Sequence, residues 1–169
     1  MLDLGDIQGD VVVGLQKNVE NFICFKIVDK VSFKLLIKLH IVSRITKAEL
    51  AHRRELVIER RQKLGQKTYE RFEGLNLGFT KDGLTLLFGA GRPKLDPAFE
   101  RGADHSDTSK YLNDPPFSSW VRKFASDRID GVFLVTGPER LLVSHHSNQL
   151  LSFLGASIKC VSSDLIRQS

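Results

Sequence analysis

Residues 131–162 read GVFLVTGPERLLVSHHSNQLLSFLGASIKCVS and contain two apolar stretches on either side of a helical one. Gly131–Val135 has the β-branched and aromatic composition of a strand, and so does Ile158–Ser162. Pro138 favours a helix that begins at its own position, because a first-turn residue needs no amide hydrogen. Gly155 is well placed to end that helix. The stretch therefore predicts a strand–helix–strand unit.

The chain before this unit contains the elements of a second, similar unit. Phe22–Val28 is rich in aromatic and β-branched residues, which predicts a strand. Val31–Ile45 carries apolar residues at helical spacing, and Lys47–Lys63 follows as a second helix. Gly74–Thr80 alternates apolar residues with small or polar ones, as a half-buried strand does. A short helix then begins at Leu84–Phe88.

The second helix, Lys47–Lys63, has a start signal and a strongly charged surface. Thr46 is a natural N-cap, and Glu49 three residues later completes a capping-box pattern. The basic residues of the helix are interleaved with Glu55 and Glu59, which indicates a solvated helix. Nucleic-acid binding would need a cleaner basic stripe with aromatic stacking platforms, so we expect no nucleic-acid partner.

The order of these elements is βαββαβ, which predicts an α+β, ferredoxin-like antiparallel sheet with helices on one face. The length of 169 residues fits one domain spanning 1–169. It would have an N-terminal arm over 1–20 and a long insertion loop over 89–127, which contains four of the five prolines. The second face of such a sheet is bare unless another copy of the sheet covers it, as in a dimeric α/β barrel.

Composition narrows the class of protein. Hydrophobic residues make up 41% of the chain and the net charge is +5, which is ordinary for a folded protein and permits an anionic partner. No apolar run reaches the ~18 residues of a membrane span. The N-terminus is acidic and shows no signal peptide. Cys24 and Cys160 fit no metal or redox spacing and indicate buried thiols, so we expect a cytoplasmic protein.

Several short motifs, spread through nearly the whole chain, resemble those of the dye-decolourising peroxidases. In chain order they are DIQGD (6–10) with Gly14, ITKA (45–48), LNLGFTKDGL (75–84), DPAF (96–99) with Gly102, and DGVFLV (130–135) after Trp120. The resemblance covers only the first half of that family's length. It implies two ferredoxin-like domains packed sheet to sheet, with haem held mainly by the second domain.

The family's distal Gly-x-x-Asp-Gly motif would follow just after this chain ends, and its proximal histidine and distal arginine come later still. Asp130-Gly131 is not that motif, because it begins a strand and lacks the preceding glycine. A haem peroxidase needs an axial ligand and a distal acid–base group. We therefore expect no haem and no peroxidase activity here. Either the chain is a fragment, or a homodimer through the sheet face replaces the missing domain; we favour the homodimer.

The long insertion contains an acidic cluster beside basic residues. Asp104 and Asp107 stand at a D-x-x-D spacing, and Asp114 follows. Mg²⁺ is usually bound by one or two carboxylates together with substrate phosphates. These aspartates could hold Mg²⁺ against a diphosphate bound by three nearby cations, Arg92, Arg101 and Lys110. The alternative is a polar surface loop whose aspartates cap turns.

Three further residues are candidate catalytic groups. His146 lies on the apolar face of its helix, where it would be either a satisfied core group or a general base in a cavity. Lys26 and Asn76 lie on the less apolar side of their strands and could line a site between sheets. A buried lysine there would have a lowered pKa. The alternative is that both are bonded across an interface or exposed to water.

The favoured function is a haem-independent small-molecule enzyme, a lyase, cyclase or isomerase that acts on an apolar substrate. The acidic and basic insertion suggests Mg²⁺ and a prenyl-diphosphate-like substrate. Two alternatives stay open: a haem-binding fragment of a dye-decolourising peroxidase, and a non-catalytic partner of a full-length homologue.

Overall fold

The computed structural model describes residues 3–12, 18–66, 73–102, 105–120 and 128–167. Within these ranges four strands form one antiparallel sheet in the order β2–β3–β1–β4. This strand order confirms the predicted ferredoxin-like topology. The strands are β1 (Val19–Ile27), β2 (Gly74–Phe79), β3 (Gly131–Gly137) and β4 (Ile158–Arg167).

The helices pack mainly along one side of the sheet. They are α1 (Gly9–Val12), α2 (Lys30–Leu36), α3 (Ala48–Lys63), α4 (Lys81–Phe88), α5 (Pro97–Arg101), α6 (Ser106–Leu112) and α7 (Arg140–Leu154). The rod that begins with α2 continues through a π-helical turn, Ile37–Ile41, and a 3₁₀ turn, Val42–Arg44. None of the described helices is both long and apolar enough to cross a bilayer.

Two predictions about helices differ from the structure. The stretch 89–127 was predicted to be irregular, yet α5 and α6 both lie within it. Asp96 caps α5 by accepting a hydrogen bond from the amide of Ala98 at 2.8 Å. The last helix begins at Arg140 and not at Pro138, which lies in the loop that precedes it. Gly155 ends that helix at a φ of 48°, as predicted.

The hydrophobic core lies between the sheet and three helices, α2, α4 and α7. Ile23 and Phe25 of β1 are fully buried on this side, opposite the less apolar side on which Lys26 was predicted to lie. The Phe25 ring stacks on Phe133 with centroids 4.8 Å apart and lies 5.6 Å from the ring of Phe33. Such ring pairs add to the burial of apolar area that drives folding.

A fully buried carboxylate joins three elements at one corner of the sheet. The amide of Asp130 donates to Phe25 O at 2.9 Å, and its Oδ2 accepts from the amide of Ile27 at 2.7 Å. Its carbonyl accepts from the amide of Thr80 at 3.0 Å. Arg128 Nε lies 2.8 Å from Asp130 Oδ1 and balances the charge. A buried charge is tolerated only with such partners.

Gly83 packs directly against this corner. A β-carbon at Gly83 would lie 1.9 Å from the backbone oxygen of Asp130. We predict that Gly83→Ala lowers the free energy of unfolding by ~3 kcal/mol, since rigid backbone stands on both sides of the contact. Urea denaturation measures this loss. Gly91→Ala is the control, because a β-carbon there meets nothing within 4 Å; equal effects of the two substitutions would contradict the prediction.

The outer edge of β2 is closed by residues from two other segments. Leu75 accepts a hydrogen bond at its oxygen from the amide of Thr46 at 2.9 Å and donates its amide to Thr46 Oγ1 at 3.0 Å. Thr46 therefore does not cap α3: the N-cap is Lys47, whose side chain makes no capping bond. The capping-box prediction was wrong because the hydroxyl is used by the sheet.

Gln8 continues this edge one pair further along β2. Its side-chain amide donates to Leu77 O at 2.8 Å and accepts from the amide of Leu77 at 2.7 Å. The backbone of the same segment bonds to the start of α3, since Gly9 donates to Thr46 O at 2.8 Å. The first residues of the chain, predicted as an arm, are thus fixed to β2 where the structure describes them.

We predict that Gln8→Ala lowers the free energy of unfolding by about 1–3 kcal/mol, because it leaves two backbone groups of Leu77 without a protein partner. Thermal and urea denaturation measure the change. Gln62→Ala, on an exposed position of α3, is the matched control and should change stability by less than ~0.5 kcal/mol. A loss at Gln8 no larger than the loss at Gln62 would show that the amide does not support the edge.

Candidate functional site

A cleft of about 280 Å³ opens on the helical side of the sheet, where α7 passes the start of β2. Apolar residues of β2, β3 and α7 form part of its wall, and polar side chains stand around them. The lining residues are Arg44, Glu73, Gly74, Leu75, Val135, His146, Gln149 and Leu150. This cleft is the part of the described structure where a sequence-predicted catalytic residue faces a cavity.

His146 is the predicted residue at this cleft. Its Nδ1 lies 3.3 Å from Glu73 Oε2, and the two side chains are 30% and 45% exposed. A carboxylate at this distance from an imidazole nitrogen orients the ring within the cleft. Sequence reasoning missed Glu73, because it is distant along the chain and no local pattern marks it.

Arg44 is held at the rim of the cleft by an aromatic ring. Its guanidinium carbon lies 4.6 Å from the centroid of Phe153, a cation–π contact. The imidazole of His40 stacks on the same ring at 5.3 Å with an interplanar angle of 10°. His40 is therefore a packing residue. Arg44, Glu73 and His146 can offer hydrogen bonds to a small polar molecule in the cleft.

The other two predicted catalytic residues lie on the opposite face of the sheet from His146. Asn76 is buried, and its amide, oriented to satisfy its partners, donates to Leu75 O at 2.9 Å and accepts from the amide of Asp10 at 3.1 Å. Lys26 lies two strands away on β1, beside Lys159 of β4. The structure therefore does not bring His146, Lys26 and Asn76 together.

Arg92, a predicted diphosphate-binding residue, is already paired within the chain. Its Nη1 donates to Glu100 Oε1 at 2.7 Å, and its Nη2 donates to Glu100 Oε2. Its Nε donates to Thr85 Oγ1 at 3.0 Å. The hydrogen bonds from Arg92 lower the pKa of Glu100 to about 2, and the Leu95 amide adds to this effect. Arg92 closes the loop after α4.

The remaining members of the predicted metal and diphosphate site are dispersed. Arg101 and Lys110 are exposed, at the end of α5 and within α6. Asp107 lies in the first turn of α6, whereas Asp114 lies beyond its end, after the left-handed Asn113. Asp104 lies outside the described residues. In the ranges that the structure does describe, no three His, Cys, Asp or Glu side chains are grouped as metal ligands would be.

The chain matches the family model of the DyP dimeric alpha+beta barrel domain over residues 6–164. The chain belongs to this family. The domain match, together with the four-stranded sheet, confirms the family resemblance and the fold that the sequence motifs predicted.

Known relatives are dye-decolourising peroxidases. Peroxidase 2 of Mycetinis scorodonius is 34% identical over 157 residues, which is 93% of this chain and 28% of that protein. The dye-decolourising peroxidase of Exidia glandulosa is 28% identical over 160 residues. The structure of an ancestral D-type enzyme superposes with a TM-score of 0.81 at 27% identity, covering 99% of this chain and 35% of the other. The chain thus spans about a third or less of these relatives.

A related structure concerns the haem pocket of a dye-decolourising peroxidase, so we asked whether residues of this chain fit a haem. An axial ligand is usually His, Cys, Met or Tyr. The cleft at His146 is slightly smaller than the roughly 300–1,000 Å³ of ordinary ligand pockets. A larger cavity, about 570 Å³ between the start of β1 and the end of β4, has none of these ligand types among its described lining residues. The described lining of that larger cavity therefore supplies no axial ligand.

The Arg92–Glu100 pair predicts a pH dependence of stability. Since folding lowers the pKa of Glu100 to about 2, its contribution is complete above the ordinary glutamate pKa and is lost as pH falls through about 2. We predict that wild type is more stable than Glu100→Gln at pH 7 and that the difference shrinks as pH falls from about 4.5. Urea denaturation at several pH values measures it.

The control is Glu59→Gln on the exposed part of α3. It should leave the pH dependence of the wild type unchanged over the same interval. A constant difference between wild type and Glu100→Gln from pH 7 down to about pH 2 would contradict the assignment.

Proposed function

We propose that this chain is one half of a DyP-type barrel and that its function is to present the open face of its sheet to a second ferredoxin-like sheet. The open face is the side away from α2, α4 and α7, and it includes Cys24, Gly78, Val132 and Leu134. The match to the DyP barrel domain over residues 6–164 carries this proposal.

The composition of the open face suits a buried contact. Phe22, Val132 and Leu134 give it apolar area, while Lys26 and Asp164 place charges toward the β1–β4 side. Part of the face is already covered within the chain. The open-face residues that are no more than 8% exposed are Glu20, Asn76, Leu134, Thr136 and Ser162. The exposed remainder is the area that we assign to the second sheet.

In the peroxidase relatives the matched region is about 28% of the chain, so the second sheet of a longer protein would come from the remaining length. For the 169-residue chain alone, a second copy is the available sheet. Two copies related by a two-fold axis would use the same patch on both partners. We therefore propose a homodimer through the open face when the chain stands alone.

Peroxidase chemistry then belongs to the assembled barrel. Cleavage of a peroxide bond on haem needs an axial ligand and an acid–base group beside the bound peroxide. We assign the axial ligand and the acid–base group to the second domain. The role that we assign to this chain is to pack against the second domain and position it. A haem-independent lyase, cyclase or isomerase with Mg²⁺ has no support, because Arg92 is paired with Glu100 and the known relatives are peroxidases.

We predict that the free chain is a dimer without stoichiometric haem in native mass spectrometry. Val132→Glu, at the middle of the open face, should convert the dimer to monomer by burying an unpaired charge at the contact. The control is Leu141→Glu on α7, which is 83% exposed on the helical side. A wild-type monomer at tens of micromolar, or one haem retained per chain, would overturn the proposal.

A further inference from the structure

The rod formed by α2 and the following turns is apolar on both its inner and its outer side. Phe33 and Ile41 are buried against the core. On the outer side Val31, Leu35, Leu39 and Val42 follow one another at helical spacing and are 56–75% exposed. We call these four residues the aliphatic row. Single exposed apolar residues are ordinary, but contiguous exposed apolar patches mark interaction sites, so the aliphatic row indicates a binding surface.

A row of lysines flanks the aliphatic row. Lys30, Lys34 and Lys38 are exposed, and each directly precedes a member of the aliphatic row in the sequence. No Asp or Glu occurs from residue 30 to residue 48. The nearest acid, Asp29, accepts hydrogen bonds from the amides of Val31 and Ser32 at the start of α2. The surface is therefore basic along its length, and a binding partner must be anionic.

An exposed aromatic ring stands on the lysine side of the rod. Phe88, at the end of α4, is 56% exposed, and Lys34 Nζ lies 5.0 Å from the centroid of its ring. This cation–π contact holds the ring next to the lysines. Phe88 thus adds an aromatic group to the aliphatic and basic side chains of α2.

We propose that this surface, the aliphatic row with its lysines and Phe88, docks onto an anionic lipid bilayer. Lysine is depleted in protein–protein interfaces. Leucine, phenylalanine and lysine together are typical of surfaces that bind in the headgroup layer. A second copy of the chain is disfavoured, because its lysine row would meet the first one.

The dimensions of the surface agree with docking in the plane of the membrane. From Val31 to Val42 the rod rises by roughly 16 Å, about three turns. Aliphatic side chains of this length reach the boundary of the acyl chains, while lysines extend their ammonium groups back to the phosphates. The open face of the sheet lies on the other side of the core. Sheet pairing and lipid binding therefore do not exclude one another.

The test is co-sedimentation of the purified chain with vesicles of phosphatidylcholine alone and with 30% phosphatidylserine. We expect binding to the phosphatidylserine vesicles at low salt, and weaker binding at 0.5 M salt because the charges are screened. Replacing one lysine by Gln should weaken binding about fivefold. Leu35→Glu with Leu39→Glu should abolish it, since acidic groups would enter the headgroup layer.

Leu141→Glu, a leucine-to-acid change at a still more exposed position on α7, is the control and should retain binding. Circular dichroism checks that each variant is folded, and the salt dependence of the wild type needs no variant. No binding to phosphatidylserine vesicles would overturn the proposal. An equal loss of vesicle binding in Leu141→Glu would also overturn the proposal, because binding would then depend on the net charge of the chain and not on this surface. A dimer that Leu35→Glu dissociates would assign the surface to a second copy.

Discussion

The hydrogen bonds of Asp130 determine how the two halves of the sheet meet. Its carboxylate accepts from the amide of Ile27, where β1 ends, and its own backbone bonds to Phe25 and to Thr80. Because the backbone of Asp130 makes hydrogen bonds to segments on both sides, the backbones of β1 and β2 must approach residues 130 and 131 closely. A β-carbon at Gly131 would lie 2.7 Å from Gly78 O and 2.6 Å from the Phe25 ring. The glycine beside Asp130 is therefore a condition of this contact.

The edge of β2 is the second constraint. An exposed strand edge invites pairing with other chains, and here Thr46 and Gln8 occupy the amides and carbonyls of Leu75 and Leu77. The DIQGD motif thus has a structural role at this edge, through its glutamine. Since that edge is occupied, the open face and the side of β4 are left for the association that we propose.

Local patterns in the sequence predicted the elements that depend on local chemistry. Aromatic and β-branched composition identified β1, Lys26 marked the side of β1 that faces away from the helices, and Gly155 identified the end of α7. Asp96 before Pro97 is a typical start signal for a helix and marks the start of α5. The prolines of this stretch were instead interpreted as signs of irregular structure. The role of Thr46 was not readable, because a hydroxyl that caps a helix and one that bonds a strand look alike in sequence.

The candidate site was harder to predict because residue type indicates what a side chain can do and not whether it is free to do it. Arg92 has the chemistry to bind a diphosphate, yet Glu100, eight residues later, already neutralises it. Asn76 faces the predicted side of the sheet, yet its amide bonds to Asp10. Both partners come from the fold, and neither pairing has a local signature.

The side chains that the described fold leaves exposed point to surfaces more than to a pocket. His146 and Glu73 share a shallow cleft, whereas four exposed aliphatic side chains follow one another along α2 and its turns. A single exposed aliphatic side chain costs little in the folded state, but four in one row beside lysines exceed what solvent contact explains. The aliphatic row and the open face of the sheet are the two described surfaces to which we assign binding. That conclusion is compatible with a supporting half-barrel and does not require a catalytic centre of its own.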